Sequence, residues 1–160
     1  MGEFVDGADS RVDRLLSDLQ RFQGAAARSA QRLALETADA WSDDGLVRVW
    51  VNAQGVVVQV EFDDTLLSEM TSADAGAAVV QAAQSAAAKM RAKTDAFQAG
   101  LWQQVARFGV QPVDEFNGMR PEVPLSAPGS RDRRAISETL AAEADRKDAQ
   151  DWRLTIRDND

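Results

Sequence analysis

The 160-residue chain contains no cysteine, no histidine and no tyrosine. Those absences remove disulfide staples, thiolate and imidazole metal ligands, Cys-based and Ser-His nucleophilic machinery, and the ordinary proton shuttle at neutral pH. Carboxylate chemistry alone remains, as paired acids or as oxygen ligands for magnesium, and it needs a concave pocket that two helices and a small sheet rarely supply. The sequence therefore reads as a binding protein, with no catalytic residue, no metal site and no cofactor. A basic excess is also missing. The formal charge is −8, so any attraction for nucleic acid must come from a local basic row and not from the surface as a whole. No run approaches the roughly 20 apolar residues that span a bilayer. The opening Met1-Gly2-Glu3-Phe4-Val5-Asp6 lacks the basic and apolar regions of a signal peptide. A cytoplasmic protein without membrane insertion is the expectation.

What is present is organised in blocks. Val12, Leu15, Leu16, Leu19, Phe22, Ala26, Ala30 and Leu33 recur at steps of three and four, the period of an amphipathic helix, which the spacing predicts from Asp9 or Ser10 to about Leu33. Ser10 with Asp13 three residues on suggests its N-cap. Gly24, beside Ala25, Ala26 and Ala27, costs about 1 kcal/mol relative to Ala and marks a close helix crossing. The pattern then alternates. Residues 46–51 and 56–62 are β-branched and aromatic runs separated by Asn52-Ala53-Gln54-Gly55, and a weaker strand over 35–41 precedes the turn Ser42-Asp43-Asp44-Gly45. The expectation is a three-stranded antiparallel meander that must pack against helices or a second copy. A second long helix is predicted from Ser72 or Asp74 to a C-cap at Gly109. Val80, Ala83, Ala87, Met90, Phe97, Leu101, Val105 and Phe108 fall on one face, nearly heptad from 80 to 101 with Thr94 the polar break. At ~1.5 Å per residue this helix spans about 50 Å, longer than one small domain can cover, so part of it is expected to meet another chain.

All four prolines, Pro112, Pro121, Pro124 and Pro128, follow that helix. The domain is therefore placed at 1–109, and 110–160 is read as a Pro-containing linker and flexible C-terminal tail. Within the tail a short helix is expected over 130–147, and Trp152, Leu154 and Ile156 alternate as a docking strand or a sticky end.

The run Asp44-Gly45-Leu46-Val47-Arg48-Val49-Trp50-Val51-Asn52, then Gly55, then Val58-Gln59-Val60-Glu61-Phe62-Asp63-Asp64-Thr65-Leu66-Leu67, lies between two long helices. It resembles the YbaB/EbfC family of small nucleoid-associated proteins, with their Gly-Leu-Val-Xaa-Val strand, Gly-containing turn and Val-Xaa-Ile-Asp-Xaa-Xaa-Leu-Leu run. The resemblance covers roughly residues 10–109. It implies an α+β fold of helix, three-stranded sheet and helix, a homodimer joined through the sheets with helices projecting like tweezers, and binding of duplex DNA with little sequence preference. Two departures stand out. The tail exceeds the family's usual short end, and the Ala-rich second helix is more similar to actinobacterial relatives, some of which accompany type VII secretion systems. The second reading is accordingly an adaptor or stabilising factor of such a system, holding a protein partner through its helices or tail.

Arg14, Arg21 and Arg28 repeat every seven residues and form one stripe, flanked by Arg11 and Arg32. Phosphates are met by such lines of guanidinium groups, although a solvated helix face explains the same pattern. Lys89, Arg91 and Lys93 form a second basic cluster, of which Lys89 and Lys93 share a face; Arg131, Arg133 and Arg134 form a third, suited to a tether. Trp50 points away from Val47, Val49 and Val51, as a second core layer or an interface anchor. With Val58, Val60 and Phe62 it is assigned to the dimer interface. Trp102 is expected to contact the tail or the first helix. The pairs Asp43-Asp44 and Asp63-Asp64 read as turn and helix-entry residues before they read as cation ligands.

Overall fold

A computed structural model describes residues 3–109 and 121–156. The elements follow in the order α1 (Glu3–Leu35), β1 (Thr37–Trp41), β2 (Val47–Asn52), β3 (Val57–Phe62), α2 (Leu66–Glu69), α3 (Ser72–Arg107) and α4 (Arg131–Ile156). Helix α1 begins two turns before the Ser10 cap that the sequence suggests. Acidic residues favour the N-terminal end of a helix, and 3–9 includes Glu3, Asp6 and Asp9 with no proline. Ser10 therefore lies inside the helix and not at its N-terminus. Helix α3 starts where expected, with Thr71 Oγ1 accepting from the Asp74 amide at 3.2 Å. It ends at Phe108 with Gly109 at φ 66°, the left-handed conformation that glycine adopts at no steric cost.

The sheet is a meander in the order β1-β2-β3, antiparallel throughout. Gly45 and Gly55 take positive φ at its two turns. Asn52, fully buried, organises the second turn: its side-chain oxygen accepts from the amides of Gln54 and Val56, both at 3.0 Å. Val49 faces Val60, Trp50 faces Gln59 and Val51 faces Val57, so Val58 is the extra residue of a bulge in β3.

Alternation along the strands sorts the residues. Ala38, Ala40, Val47, Val49 and Val51 face α3, which answers with Ala78, Ala82, Ala86 and Met90 at four-residue spacing. Leu66 of α2 closes this core. Each fully buried valine contributes roughly 1.5–3 kcal/mol. Against the sheet the buried face of α3 is therefore an alanine row that runs to Met90; of the heptad face proposed from the larger residues Met90 and, farther along, Val105 are buried, whereas Val80 is 56% exposed. A helix lying on a flat sheet approaches closest along a row of small side chains, and that contact outweighs the burial of one more valine.

The C-terminal segment returns to this core. Within 121–130 the Pro124 carbonyl accepts from Asn52 Nδ2 at 3.3 Å and from Arg133 Nη2 at 2.9 Å. Arg133 Nε donates to the Ser126 carbonyl at 2.7 Å and Nη1 to the Leu35 carbonyl at 2.8 Å. The first turn of α4 is thus clamped to the end of α1. The helix continues to Ile156, so Trp152, Leu154 and Ile156 lie in a helix where the sequence suggested a strand or a loose end. Residues 110–120 and 157–160 of the expected tail lie outside the described residues.

Candidate nucleic-acid interface

The arginine row is built on α1. At 3.6 residues per turn, residues seven apart lie nearly in line, so Arg14, Arg21 and Arg28 form one row on the side of the helix away from its apolar stripe. Arg14 and Arg21 are exposed; Arg21 has Asp18 at 3.9 Å, a surface pair of little energetic consequence. Arg28 is half-buried, its guanidinium folded back over Gly24. Arg11 and Arg32 are exposed on either side of the row.

Lys89 and Lys93 sit on a different element, α3, and both reach the start of β1. Lys89 Nζ donates to the Asp39 carbonyl at 2.9 Å, and Lys93 Nζ reaches Glu36 Oε2 at 3.1 Å and the Thr37 carbonyl at 3.2 Å. Both tie α3 to the start of β1. Arg91 between them is exposed. Arg133 is spent on three backbone carbonyls with only 5% of its surface exposed, and burial pushes its guanidinium below the ordinary value. The arginines read from sequence as a tether thus separate, Arg133 inside a clamp and Arg131 and Arg134 outside.

The sheet face opposite α3 carries an aromatic platform that sequence reasoning found only in part. Arg48 lies 4.4 Å from the Trp50 ring centre and 5.3 Å from that of Trp41, while its Nε donates to Asp39 Oδ2 at 2.9 Å. A guanidinium between two indoles is held by cation–π attraction and by the carboxylate at its edge. The cross-strand register explains it, since Trp41 pairs with Arg48 and Asp39 with Trp50. Half of Trp41 remains exposed. Alternation of β2 revealed Trp50, but Trp41 could be found only once the register was known. Val60 packs on the α3 side of the sheet, and Phe62, paired with Val47, is 55% exposed at the β3 edge. The four residues assigned from sequence to an interface thus lie around β3 and the adjoining part of β2, on both faces of the sheet. Trp102 is about half exposed near the end of α3.

The aspartate pairs organise turns. Asp44 accepts from the Ser42 hydroxyl and from the Leu46 amide, and those two bonds hold its carboxyl below the usual carboxylate range. Asp63 is lowered likewise by the amide and hydroxyl of Thr65. Asp43 is bound to Gln81 of α3.

Among the described residues, no helix is long and apolar enough to cross a membrane. No curated protein matches the sequence. The profile of the YbaB/EbfC DNA-binding family matches residues 9–104, from the second turn of α1 almost to the end of α3. That match covers more than half of the 160 residues and takes in the arginine row and the whole sheet, so the chain belongs to the YbaB/EbfC DNA-binding family.

Proposed function

We propose that the protein is a nucleoid-associated binder of duplex DNA with little sequence preference, acting as a homodimer joined through its sheets. The observation that carries the reading is the row Arg14, Arg21 and Arg28 on one side of a continuous 33-residue helix, in a chain whose family binds DNA. Three guanidinium groups spaced about 10 Å apart along a rod meet phosphates and leave base edges unread, which gives affinity without sequence choice. Arg11 and Arg32 extend the row. Lys89, held by the Asp39 carbonyl, adds positive potential near the base of α1, while the charge of Lys93 there is offset by Glu36. The overall charge of −8 opposes DNA, so binding is weak and falls steeply with salt. The cytoplasmic nucleoid is the compartment this reading implies.

The edge of β3 supports the dimer. Its sequence VVQVEF has no proline and no lysine to blunt an exposed edge, and Val57 and Phe62 are exposed along it. Antiparallel pairing of two β3 strands places Trp50, Val58, Val60 and Phe62 around one two-fold axis.

Fluorescence polarisation with a random-sequence duplex at low and physiological salt tests the DNA reading. Salt-sensitive binding is expected, and the triple variant R14A/R21A/R28A should flatten the dependence of log affinity on log salt by about 3 per protomer. Absence of binding at low salt would transfer the function to a protein partner.

A further inference from the structure

Among the described residues, the apolar stripe of α1 extends beyond the part that is covered. Phe22 meets Phe108 with ring centres 5.4 Å apart, at the point where α3 ends. On the sheet side of that contact Ala26, Ala30 and Leu33 are half-buried and Ala34 is buried. Toward the N-terminus the stripe continues through Leu19 to Leu16, Leu15 and Val12, whose exposures are 52%, 57% and 52%. A single exposed leucine needs no explanation. Three large apolar side chains within five residues, in line with a buried seam, do need one.

We infer that this N-terminal part of α1 is a self-association site, on which a second copy of the chain lays its own α1 antiparallel across Val12, Leu15, Leu16 and Leu19. Charge selects both the occupant and the direction. Arg11 and Asp18 are seven residues apart, so they lie on the same flank of the stripe, on either side of its centre near Leu15. A two-fold antiparallel crossing brings this flank against its own copy, and each Arg11 then meets the Asp18 of the other helix. A parallel crossing sets the two flanks against each other and forms neither pair. The row of Arg14 and Arg21 faces away from the seam, so it stays accessible in the paired state. Self-association here is independent of the β3 edge and of DNA. Where DNA is also bound, it joins two DNA-contacting bodies and bridges duplexes.

The absence of native cysteine makes the geometry directly testable. In the full chain without DNA, Leu16→Cys places a thiol near the proposed axis and Ser17→Cys places one on the far side of the helix. Circular dichroism confirms that each variant is folded. Oxidation at micromolar concentration is expected to give covalent dimer from Leu16→Cys in about tenfold higher yield than from Ser17→Cys, because disulfide formation needs Cα atoms within about 7 Å. Equal yields, or none from Leu16→Cys, would overturn the proposal. Charge reversal tests the register by sedimentation: R11D and D18R should each weaken association several-fold, and the double variant R11D/D18R should restore it. A double variant no better than either single one would rule out the antiparallel pairing. Loss of DNA binding with crosslinking intact would count against the DNA reading alone.

Discussion

At the scale of single residues, the polar groups that matter most are those with no way back to water. Arg133 satisfies three carbonyls, on Leu35, Pro124 and Ser126, from a site with almost no exposed surface. Arg133→Ala strands those acceptors, and a loss of about 2–4 kcal/mol is expected from urea denaturation, with earlier hydrogen exchange in the first turns of α4. Arg133→Lys should recover less than half of the loss, because a point ammonium cannot serve three directions as a planar fork does. Asp44 and Asp63 set a pH dependence. Their folded pKa values lie below the ordinary 3.8 because neighbouring donors favour the charged form. The stabilisation is therefore fully present above that value and is lost as pH falls through the lowered folded pKa. Urea midpoints measured from pH 5 downward should fall in the acid range, and D44N/D63N should flatten that fall. The turn role of both aspartates was legible in the sequence, because Asp accepts locally from groups two residues on, Leu46 after Asp44 and Thr65 after Asp63. The clamp was not legible: Arg133 stands among Arg131, Asp132 and Arg134, and nothing local distinguishes the one that turns inward.

At the scale of elements, α3 shows how a correct helix can be assigned a face that is right only in part: Met90 and Val105 are buried as expected, Val80 is not. The start and end of the helix follow from Thr71 and Gly109, and its length from the absence of proline between them, the alanines outweighing Gly76 and Gly100. Its buried row of Ala78, Ala82 and Ala86 is invisible to a search for large apolar residues, because alanine also fills the exposed faces of this helix. Ala82 and Ala86 have no exposed surface, so either one changed to Leu should overpack the helix–sheet contact and cost about 1–3 kcal/mol. Val80→Ala, on the exposed side, should change stability by no more than about 0.5 kcal/mol. Thermal or chemical denaturation of the three variants distinguishes the two faces directly. On the sheet, the turns and the alternation of β2 were legible. The bulge at Val58 was not, because a run of three valines fits two registers equally well until a partner strand selects one.

At the scale of the whole molecule, charge and shape divide the labour. A net charge of −8 keeps α1 from being one part of a generally basic surface, so its arginine row must act by position. The β3 edge and the α1 seam are two separate surfaces through which a copy of the chain can be met. If the edge joins the dimer, Phe62→Lys in the R11D background, where the α1 contact is weakened, should give monomer in light scattering at micromolar concentration, since lysine on an edge strand opposes pairing. Phe62 is more than half exposed, so this variant should fold, and a dimer of unchanged strength would exclude β3 as the joining surface. DNA affinity at a fixed salt concentration should fall with the loss of the dimer, because each protomer then brings its own phosphate contacts alone.

The sequence by itself determined the class of this protein. The two helical periods, the alternating strands and the glycine turns are local properties, and each is fixed by neighbours within a few residues. It also determined which arginines share a row on α1, because helical period alone decides that. The tertiary structure decided which groups are left over. Lys89 and Lys93 are bound to β1, Arg48 is set between Trp41 and Trp50, Arg133 is sealed in a clamp, and Val12, Leu15 and Leu16 extend beyond the end of α3. Those outcomes depend on strand register and on where one helix stops beside another. They arise from contacts between residues tens of positions apart, which no local pattern encodes.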